Sequence, residues 1–600
     1  MESRWKLDFA GCSHAVSSPA VFVKPGHGFT RIHADLISNN PFKSVSVILI
    51  FLILVCNVSA VSDAPENTNR IQQLVQAERW QEVVQELRSV PSRNADLNYY
   101  YGIALAQLGN YPEAERALLK GQQQQPSDKR FPIELAGVAF KEKRYSKAEH
   151  WLRRALKLDS SDSYANDFRG TVYYLEGNLP AALKYWNRVN KPRIENVTEE
   201  PGLRIRPELL DRAFAFSPAS LLRLPDLFTS ETRINGLGIF PIYKFQLNAR
   251  TDGNFDLVFR ATERNGWGAN KWDALLSTFR GVFYETIYPE HFNIHGSATN
   301  VTSLLRWDSQ KRRAFAEVSG PLWRNPKFRY AGFFDLRNEN WNLVTSFTGP
   351  ATLLGALNLR REGVTGQIFS FNSGRWDWST GMELSHRDYR SLFAGTALTP
   401  DLLLSGFQLK QLAAIHSTVW RVPERRFVLT AAASDQAARV WSTPGESFLK
   451  MQGFLQAHWF PRWAGDDYEL DERIRAGKTF GHVPFDELFM LGLERDNDLP
   501  MRAHIGTRDG RKGSAPLGRN YFLSNWEINK NIYDNGLFGV RLSPFLDSGN
   551  ITDPIAALGS KKWLFDTGVQ LKFRVLVVGL TFTYGKDLRS GANAFYFTAQ

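Results

Sequence analysis

The sequence lacks an apolar run long enough to cross a bilayer as a helix, which needs about 20 residues. Its strongest apolar run, residues 45–55, is 11 residues long. Lys43 precedes this run, and small residues ending at Ala60 follow it, an order typical of a secretory signal peptide. We therefore predict that residues 1–60 are a leader with a signal peptide, cleaved after Ala60.

Cysteine is nearly absent as well. Cys12 and Cys56 are the only two in 600 residues, and both lie in the predicted leader. The mature chain is therefore expected to have no disulfide and no thiolate metal site. The sequence also lacks a Gly-x-Ser-x-Gly elbow, a His-Glu-x-x-His pair and a phosphate-binding glycine loop. We predict that the protein is not an enzyme and has no catalytic, cofactor-binding or metal-binding residues.

Acidic residues are fewer than basic ones, 61 against 73, and the formal net charge is +12. Loss of the leader leaves the chain basic. A basic chain favours anionic surroundings such as lipid headgroups, or an anionic passenger. Because the chain is predicted to be exported, nucleic acid is not expected as a partner.

Aromatic residues, in contrast, are abundant: they make up 13% of the chain, with 17 Trp and 42 Phe. Girdles at the two interfaces of a membrane barrel would explain them, and a large aromatic-rich β-sandwich is the alternative. Residues 265–600 contain alternating runs, for example residues 569–575, separated by turn formers. At about ten residues per strand, this region predicts a C-terminal transmembrane antiparallel β-barrel of about 16 strands.

Residues 63–190 repeat themselves with a period of 34. Four sets of residues keep this spacing through three units, and a degenerate unit with Trp80 and Val83 precedes them. Small residues recur every 34 residues at the positions where paired helices would touch. This spacing resembles the tetratricopeptide pattern. Such a solenoid either binds peptides or other domains, or serves as a spacer arm. The four sets are Tyr111, Tyr145 and Leu179; Gly102, Ala136 and Gly170; Ala114, Ala148 and Ala182; and Leu118, Leu152 and Trp186.

Residues 191–264 predict a small α+β domain. Residues 193–197 read as a strand, residues 207–216 and 219–237 as helices, and residues 243–251 and 255–263 as a hairpin around an Asp-Gly-Asn turn. The order of these elements resembles that of a POTRA domain. The amino-acid sequence of residues 234–240 also resembles that family. The alternative is a purely structural α+β linker.

A loop rich in turn formers and charge follows residue 485 and contains the tetrad Met501-Arg502-Ala503-His504. Two alternating strands come next, and they carry Glu527 and Asp547 on the faces that would point into a barrel. A guanidinium pairs bidentately with carboxylates. We therefore predict that Arg502 latches the loop to the wall through Glu527 and Asp547; the alternative is a solvated arginine that meets neither acid.

In this order, the small domain, the terminal barrel and the arginine loop resemble the bacterial surface antigen superfamily, which includes BamA, TamA and the two-partner secretion transporters. The family's loop carries (Val/Ile)-Arg-Gly-(Phe/Tyr). Here the arginine is kept, while Ala503 and His504 replace the glycine and the aromatic residue, and the alanine is expected to restrict the loop backbone. The family's wall motif Phe-x-Asp-x-Gly is present as Phe545, Asp547 and Gly549, which the resemblance implies support the latch.

The resemblance implies a bacterial outer-membrane protein that assembles or translocates polypeptides. The repeats and the POTRA-like domain would lie in the periplasm and receive the client. Expected partners are client polypeptides or an exported polymer, outer-membrane lipid, and periplasmic proteins on the repeat surface. The alternative function is a polysaccharide-export porin with a tetratricopeptide arm, since a basic lumen suits an anionic polymer.

Overall fold

The computed structural model describes residues 66–199, 202–344, 351–442, 445–461, 467–560, 562–575 and 578–599. The predicted leader, its cleavage site and both cysteines lie outside these residues. No helix in the described ranges is both long and apolar enough to span a membrane. The helices are α1 (Glu66–Gln76), α2 (Trp80–Arg88), α3 (Ala95–Gln107), α4 (Tyr111–Gln124), α5 (Arg130–Lys141), α6 (Tyr145–Leu158), α7 (Ser163–Leu175), α8 (Leu179–Trp186), α9 (Pro207–Ala213), α10 (Leu224–Leu237) and α11 (Lys271–Phe279).

The 34-residue spacing is visible in the first eight helices. Tyr111, Tyr145 and Leu179 are the first residues of α4, α6 and α8. A Cβ atom added to Gly102 would lie 2.6 Å from Leu118, and one added to Gly170 would lie 2.3 Å from Trp186. The small residues therefore let paired helices touch, and the predicted tetratricopeptide solenoid is confirmed.

A carboxyl group is buried between two of these helices. Glu134 on α5 is 4% exposed and accepts a hydrogen bond from the Tyr99 hydroxyl on α3 at 3.4 Å. Burial away from water raises the pKa of Glu134 to about 7, which the Tyr99 hydrogen bond only partly opposes. Glu134 is therefore neutral in the folded arm over a pH range in which an unfolded chain would ionise it.

The small domain is a four-stranded sheet covered by α9 and α10. Its strands are ordered β2-β1-β4-β3, with β1 parallel to β4. Residues 220 and 221 form a strand rather than the start of the predicted helix, because the backbone at Ala219 turns through a positive φ and α10 begins only at Leu224. The strands are β1 (Arg193–Glu199), β2 (Ser220–Leu221), β3 (Ile242–Ala249) and β4 (Phe255–Thr262).

The remaining strands form a closed barrel. Among the described residues it has eighteen strands, of which β17 and β18 are a short hairpin inside. β5 and β6 both pair with β7 and therefore share one position in the wall. The predicted fold class is confirmed. The domain boundaries stay predictions. The barrel strands are β5 (Thr286–Ile287), β6 (Glu290–Ile294), β7 (Thr299–Trp307), β8 (Lys311–Leu322), β9 (Asn325–Val344), β10 (Leu353–Ser370), β11 (Trp376–Phe393), β12 (Gly406–Val422), β13 (Phe427–Trp441), β14 (Glu446–Trp459), β15 (Tyr468–Gly481), β17 (Thr507–Arg508), β18 (Arg511–Lys512), β20 (Asn520–Asp534), β21 (Phe538–Thr552), β22 (Leu564–Val575), β23 (Val578–Asp587) and β24 (Asn593–Ala599).

The wall alternates as a membrane barrel requires. Along β21, Leu542 and Leu546 are 37% and 45% exposed, whereas Ser543 and Asp547 between and beside them are fully buried. Apolar side chains therefore face outward and polar ones inward, the arrangement of a lipid-embedded barrel with a polar lumen.

The first part of the predicted barrel region is a helix, which the alternation pattern did not indicate. The Asn270 side chain accepts hydrogen bonds from the backbone N–H groups of Trp272 and Asp273, and this caps the start of α11. Trp272, Leu275 and Phe279 are at least half exposed and share one helical face. The chain then reaches the last strand, where the Tyr284 hydroxyl donates to the Phe597 carbonyl.

The solenoid contacts both other parts of the molecule. Its last helix reaches a barrel turn, where Tyr185 donates to Glu424 at 2.7 Å and Asn178 donates to the Pro423 carbonyl at 3.0 Å. On the preceding helix, Tyr174 donates to the carbonyl oxygen of Leu247 at 2.6 Å, so one acceptor of the edge strand β3 is already occupied. These contacts hold the arm beside the small domain and the barrel mouth.

We expect the solenoid to lose stability as pH rises through 7. Because the pKa of Glu134 is raised in the folded state, its stabilising contribution is complete below about pH 4.5 and is lost progressively above it, up to about 3 kcal/mol. Hydrogen exchange of residues 130–141, corrected for intrinsic rates, should be faster at pH 8 than at pH 6. Glu134→Gln should weaken this dependence, leaving the part due to Glu176, whose pKa burial raises to about 8, whereas Glu113→Gln, at a side chain 36% exposed, should keep it in full. Identical pH profiles for Glu134→Gln and wild type would contradict the assignment.

Candidate functional site

The segment between β15 and β20 folds into the barrel. We call residues 482–519 the lumen segment. Its ends pair in a two-stranded sheet, β16 (Phe489–Met490) with β19 (Leu517–Gly518). Apolar side chains of the segment, including Leu491 and Met501, are buried against the inner faces of β20, β21 and β22. The tetrad identified in the sequence is thereby placed against the wall.

Arg502 is the most extensively bonded side chain of the tetrad. Its Nη2 and Nε atoms donate to Asp547 at 2.7 Å and 2.9 Å, and Nη1 donates to Glu527 at 2.6 Å. Nη1 also reaches the side-chain oxygen of Gln570 at 3.2 Å. The side chain is 8% exposed, so a guanidinium is held between two wall carboxylates with little access to water.

The wall motif surrounds this guanidinium. The Phe545 ring centre lies 3.9 Å from the guanidinium carbon, a cation–π distance. Asp547 also accepts the backbone N–H of Arg502 at 3.0 Å and the Asn525 side-chain amide at 2.8 Å. A Cβ atom on Gly549 would lie 3.3 Å from the sulfur of Met501, so the absence of a side chain lets the segment approach.

Glu527 has a second cationic partner. The Nζ atom of Lys572 on β22 pairs with it, and Lys572 also donates to Asn529 at 3.2 Å. Two acids, Asp547 and Glu527, thus face two bases, Arg502 and Lys572. Balanced buried charges with satisfied hydrogen bonds specify one arrangement, although such pairs add little net stability.

The other two tetrad positions differ from the expectation. Ala503 does not adopt a positive φ, so replacing the family's glycine imposes no backbone strain there. Its N–H donates to Asp566 at 2.6 Å. His504 occupies the aromatic position but makes polar contacts, with Nδ1 3.0 Å from Asp566 and Nε2 4.0 Å from Asp587.

A second ionic cluster ties the lumen segment to β7, β8 and β9. Asp496 pairs with Arg306 on β7 at 2.8 Å, with Arg313 on β8 at 3.3 Å, and with Lys512 at 3.0 Å. Lys512 in turn pairs with Glu339 on β9 at 2.7 Å. All five side chains are 4% exposed or less.

A third cluster lies near the start of the segment. Glu487 pairs with Lys410 on β12 at 2.8 Å and with Arg361 on β10 at 3.3 Å, and it lies 3.5 Å from Arg387 on β11. Its backbone carbonyl accepts from Lys450 on β14 at 3.0 Å. The lumen segment is therefore bonded to strands around the whole circumference.

Sequence reasoning missed several residues of this site. Gly585 on β23 lies so close to the tetrad that an added Cβ would be 2.6 Å from the Arg502 carbonyl oxygen. Asp566 and Asp587, which meet His504, also went unnoticed. Their alternation places them on inward faces, but no local pattern gives the strand register that aligns them.

Comparison with known proteins gives one family match. The tetratricopeptide repeat family matches residues 77–129 and 102–163. No curated protein matches the chain.

Several solved structures are similar in part. BamA from Haemophilus ducreyi lacking POTRA domains 1-3 is 12% identical, covering 68% of this chain and 84% of that chain, with a TM-score of 0.40. CdiB from Escherichia coli is 13% identical, covering 68% and 77%, with a TM-score of 0.45. CdiB from Acinetobacter baumannii is 12% identical, covering 90% and 99%, with a TM-score of 0.40.

Asp547→Asn should loosen the lumen segment. The change leaves the buried Arg502 guanidinium with one carboxylate, at a cost of about 3 kcal/mol. We expect a lower unfolding temperature in detergent, read by heat-modifiable electrophoretic mobility, and faster protease cleavage between residues 482 and 519. Asp509→Asn is the matched control, because that side chain lies in the same segment and is 92% exposed. Equal protease resistance in the two variants would show that the Arg502–Asp547 pair does not hold the lumen segment to the wall.

Gly585→Ala should displace the tetrad. The added methyl group would meet the Arg502 carbonyl oxygen at 2.6 Å, and overpacking of this kind costs about 1–3 kcal/mol. Gly579→Ala on the same strand is the control, since a Cβ there meets nothing within 4 Å. The first variant should lower the unfolding temperature and the second should leave it unchanged. If the unfolding temperature falls equally in both variants, β23 is sensitive to alanine whether or not the lumen segment lies against it.

Proposed function

We propose that this protein is a bacterial outer-membrane barrel that assembles or translocates polypeptides. The observation that carries the proposal is the Arg502 guanidinium, bound by Asp547 and Glu527 inside the lumen. This is the loop-to-wall pairing that the sequence resemblance implies. Outward apolar side chains such as Leu542 and Leu546 support a lipid-embedded barrel.

The small domain is proposed to be a POTRA domain that receives the client at its edge strand. Among the described residues β3 is an edge strand that pairs with β4, and an extended polypeptide could add to its other side. The Tyr174 hydroxyl occupies the Leu247 carbonyl, so a client would first meet the part of β3 nearer its start. The domain also touches the barrel, where the Asn300 amide donates to the Leu237 carbonyl at 2.9 Å.

The solenoid is proposed to lie in the periplasm together with the small domain. Lys184 and Tyr185 on α8 both bond Glu424 in the turn between β12 and β13, which places the arm at the same end of the barrel as the small domain. A client, or a periplasmic partner bound on the repeats, would then be delivered next to β3.

The alternative of a polysaccharide-export porin needs an open aqueous passage. Ion pairs of Glu487, Asp496 and Arg502 attach the lumen segment to the wall at three separate places, so the segment occupies part of the lumen. The partly filled lumen favours the polypeptide-handling proposal over a permanently open polymer channel.

A complementation experiment would test the function. Cells depleted of the native protein would receive wild type, Asp547→Asn or Asp509→Asn. With Asp547→Asn we expect at least a tenfold loss of assembled or secreted polypeptides, with surface polysaccharide unchanged, while Asp509→Asn behaves as wild type. Loss of polysaccharide with normal polypeptide export would support the alternative instead.

Photo-crosslinking would identify the class of client. A crosslinking residue at Lys244, which is exposed on β3, should capture adducts that protease digestion removes. The same residue at Lys120, which is exposed on α4, is the control. Adducts that resist protease but yield to glycosidases would contradict a polypeptide client.

A further inference from the structure

Three buried side chains of metal-binding type meet beside Arg502. His504, Asp566 and Asp587 each offer one nitrogen or oxygen atom, and these atoms lie within 4.8 Å of one another. The residues are 2%, 0% and 3% exposed. The first belongs to the lumen segment and the other two to adjacent wall strands, β22 and β23.

Strand register brings the carboxylates together. Asp547 is directly opposite Asp566 on β22, and Asp566 is directly opposite Asp587 on β23. Like charges at directly opposed positions destabilise a sheet. Arg502 compensates Asp547, whereas among the described residues the ion pairs of Asp566 and Asp587 are those with His504.

Two carboxylates and one imidazole meet here, and the Asp587 carboxylate also accepts hydrogen bonds from the backbone N–H groups of Arg589 and Ser590 and from the Ser590 hydroxyl. A divalent cation with a neutral imidazole would compensate both carboxylates. Burying a carboxylate away from water without a compensating charge destabilises the folded protein.

An unsatisfied atom points to the same conclusion. The Oδ2 atom of Asp566 accepts hydrogen bonds from the Ala503 N–H at 2.6 Å and from His504 Nδ1 at 3.0 Å. Its Oδ1 atom is fully buried and accepts no hydrogen bond from the described residues, although the same His504 nitrogen lies 3.0 Å from it as an ion-pair partner. A buried carboxylate oxygen that accepts no hydrogen bond can serve as a ligand for a cation.

We propose that His504, Asp566 and Asp587 bind one divalent metal ion. One imidazole nitrogen with two carboxylate oxygens suits zinc. Metal–ligand distances of about 2.0–2.2 Å place ligand atoms about 3–3.5 Å apart. Asp587, now 4.0 Å from the imidazole, closes slightly on the ion. The ion joins the lumen segment to β22 and β23, and this holds whichever cargo the barrel handles.

Because the three residues are buried, the ion would enter as the barrel folds. The test therefore refolds the chain into detergent micelles with either zinc or a chelator, removes free metal, and measures bound zinc by elemental analysis. We expect one zinc per chain for wild type. His504→Gln and Asp566→Asn should each retain less than a tenth of that amount. His482→Gln is the control, since this histidine begins the same segment but its side chain is 59% exposed.

Cobalt gives a second readout that does not depend on counting atoms. Refolding with cobalt should produce visible absorption bands in wild type and His482→Gln that are missing in Asp566→Asn. Heat-modifiable mobility would confirm that each variant is folded. A folded wild-type barrel that takes up no metal, or a folded Asp566→Asn barrel that retains wild-type zinc, would overturn the site.

Discussion

The molecule depends on a charged side chain kept away from water between two acids. Arg502 is 8% exposed, and it is stable there because Asp547 and Glu527 replace its hydration. The same requirement is met around Asp496 and Glu487, where lysines and arginines of the wall surround acids of the lumen segment. The barrel interior and the segment therefore form one electrostatic unit.

Much of the fold could be predicted from the sequence because its signals are local. The tetratricopeptide period appears in Tyr111, Tyr145 and Leu179, since each begins a helix that packs in the same way. The meeting of Arg502 with Asp547 could be anticipated from the resemblance, because the wall motif survives complete around that aspartate. In both cases the signal is a pattern of residues within a short stretch of the sequence.

What could not be predicted depends on register and on close approach. Asp566 and Asp587 lie opposite each other on the two strands of one hairpin, and alternation along a strand does not fix that register. Gly585 matters because backbone from a distant loop approaches it, which its own neighbours in sequence do not reveal. Helix α11 was missed because a short amphipathic helix and a short strand have similar apolar content, and only the Asn270 cap distinguishes them.

The row of aspartates across β21, β22 and β23 constrains any motion of the lumen segment. If the segment withdrew, three carboxylates on adjacent strands would face one another without Arg502 and His504. Their repulsion would spread that part of the wall unless dissolved cations flowed in to replace the departing side chains. Opening of the barrel and the arrival of salt in its interior are therefore a single coupled event.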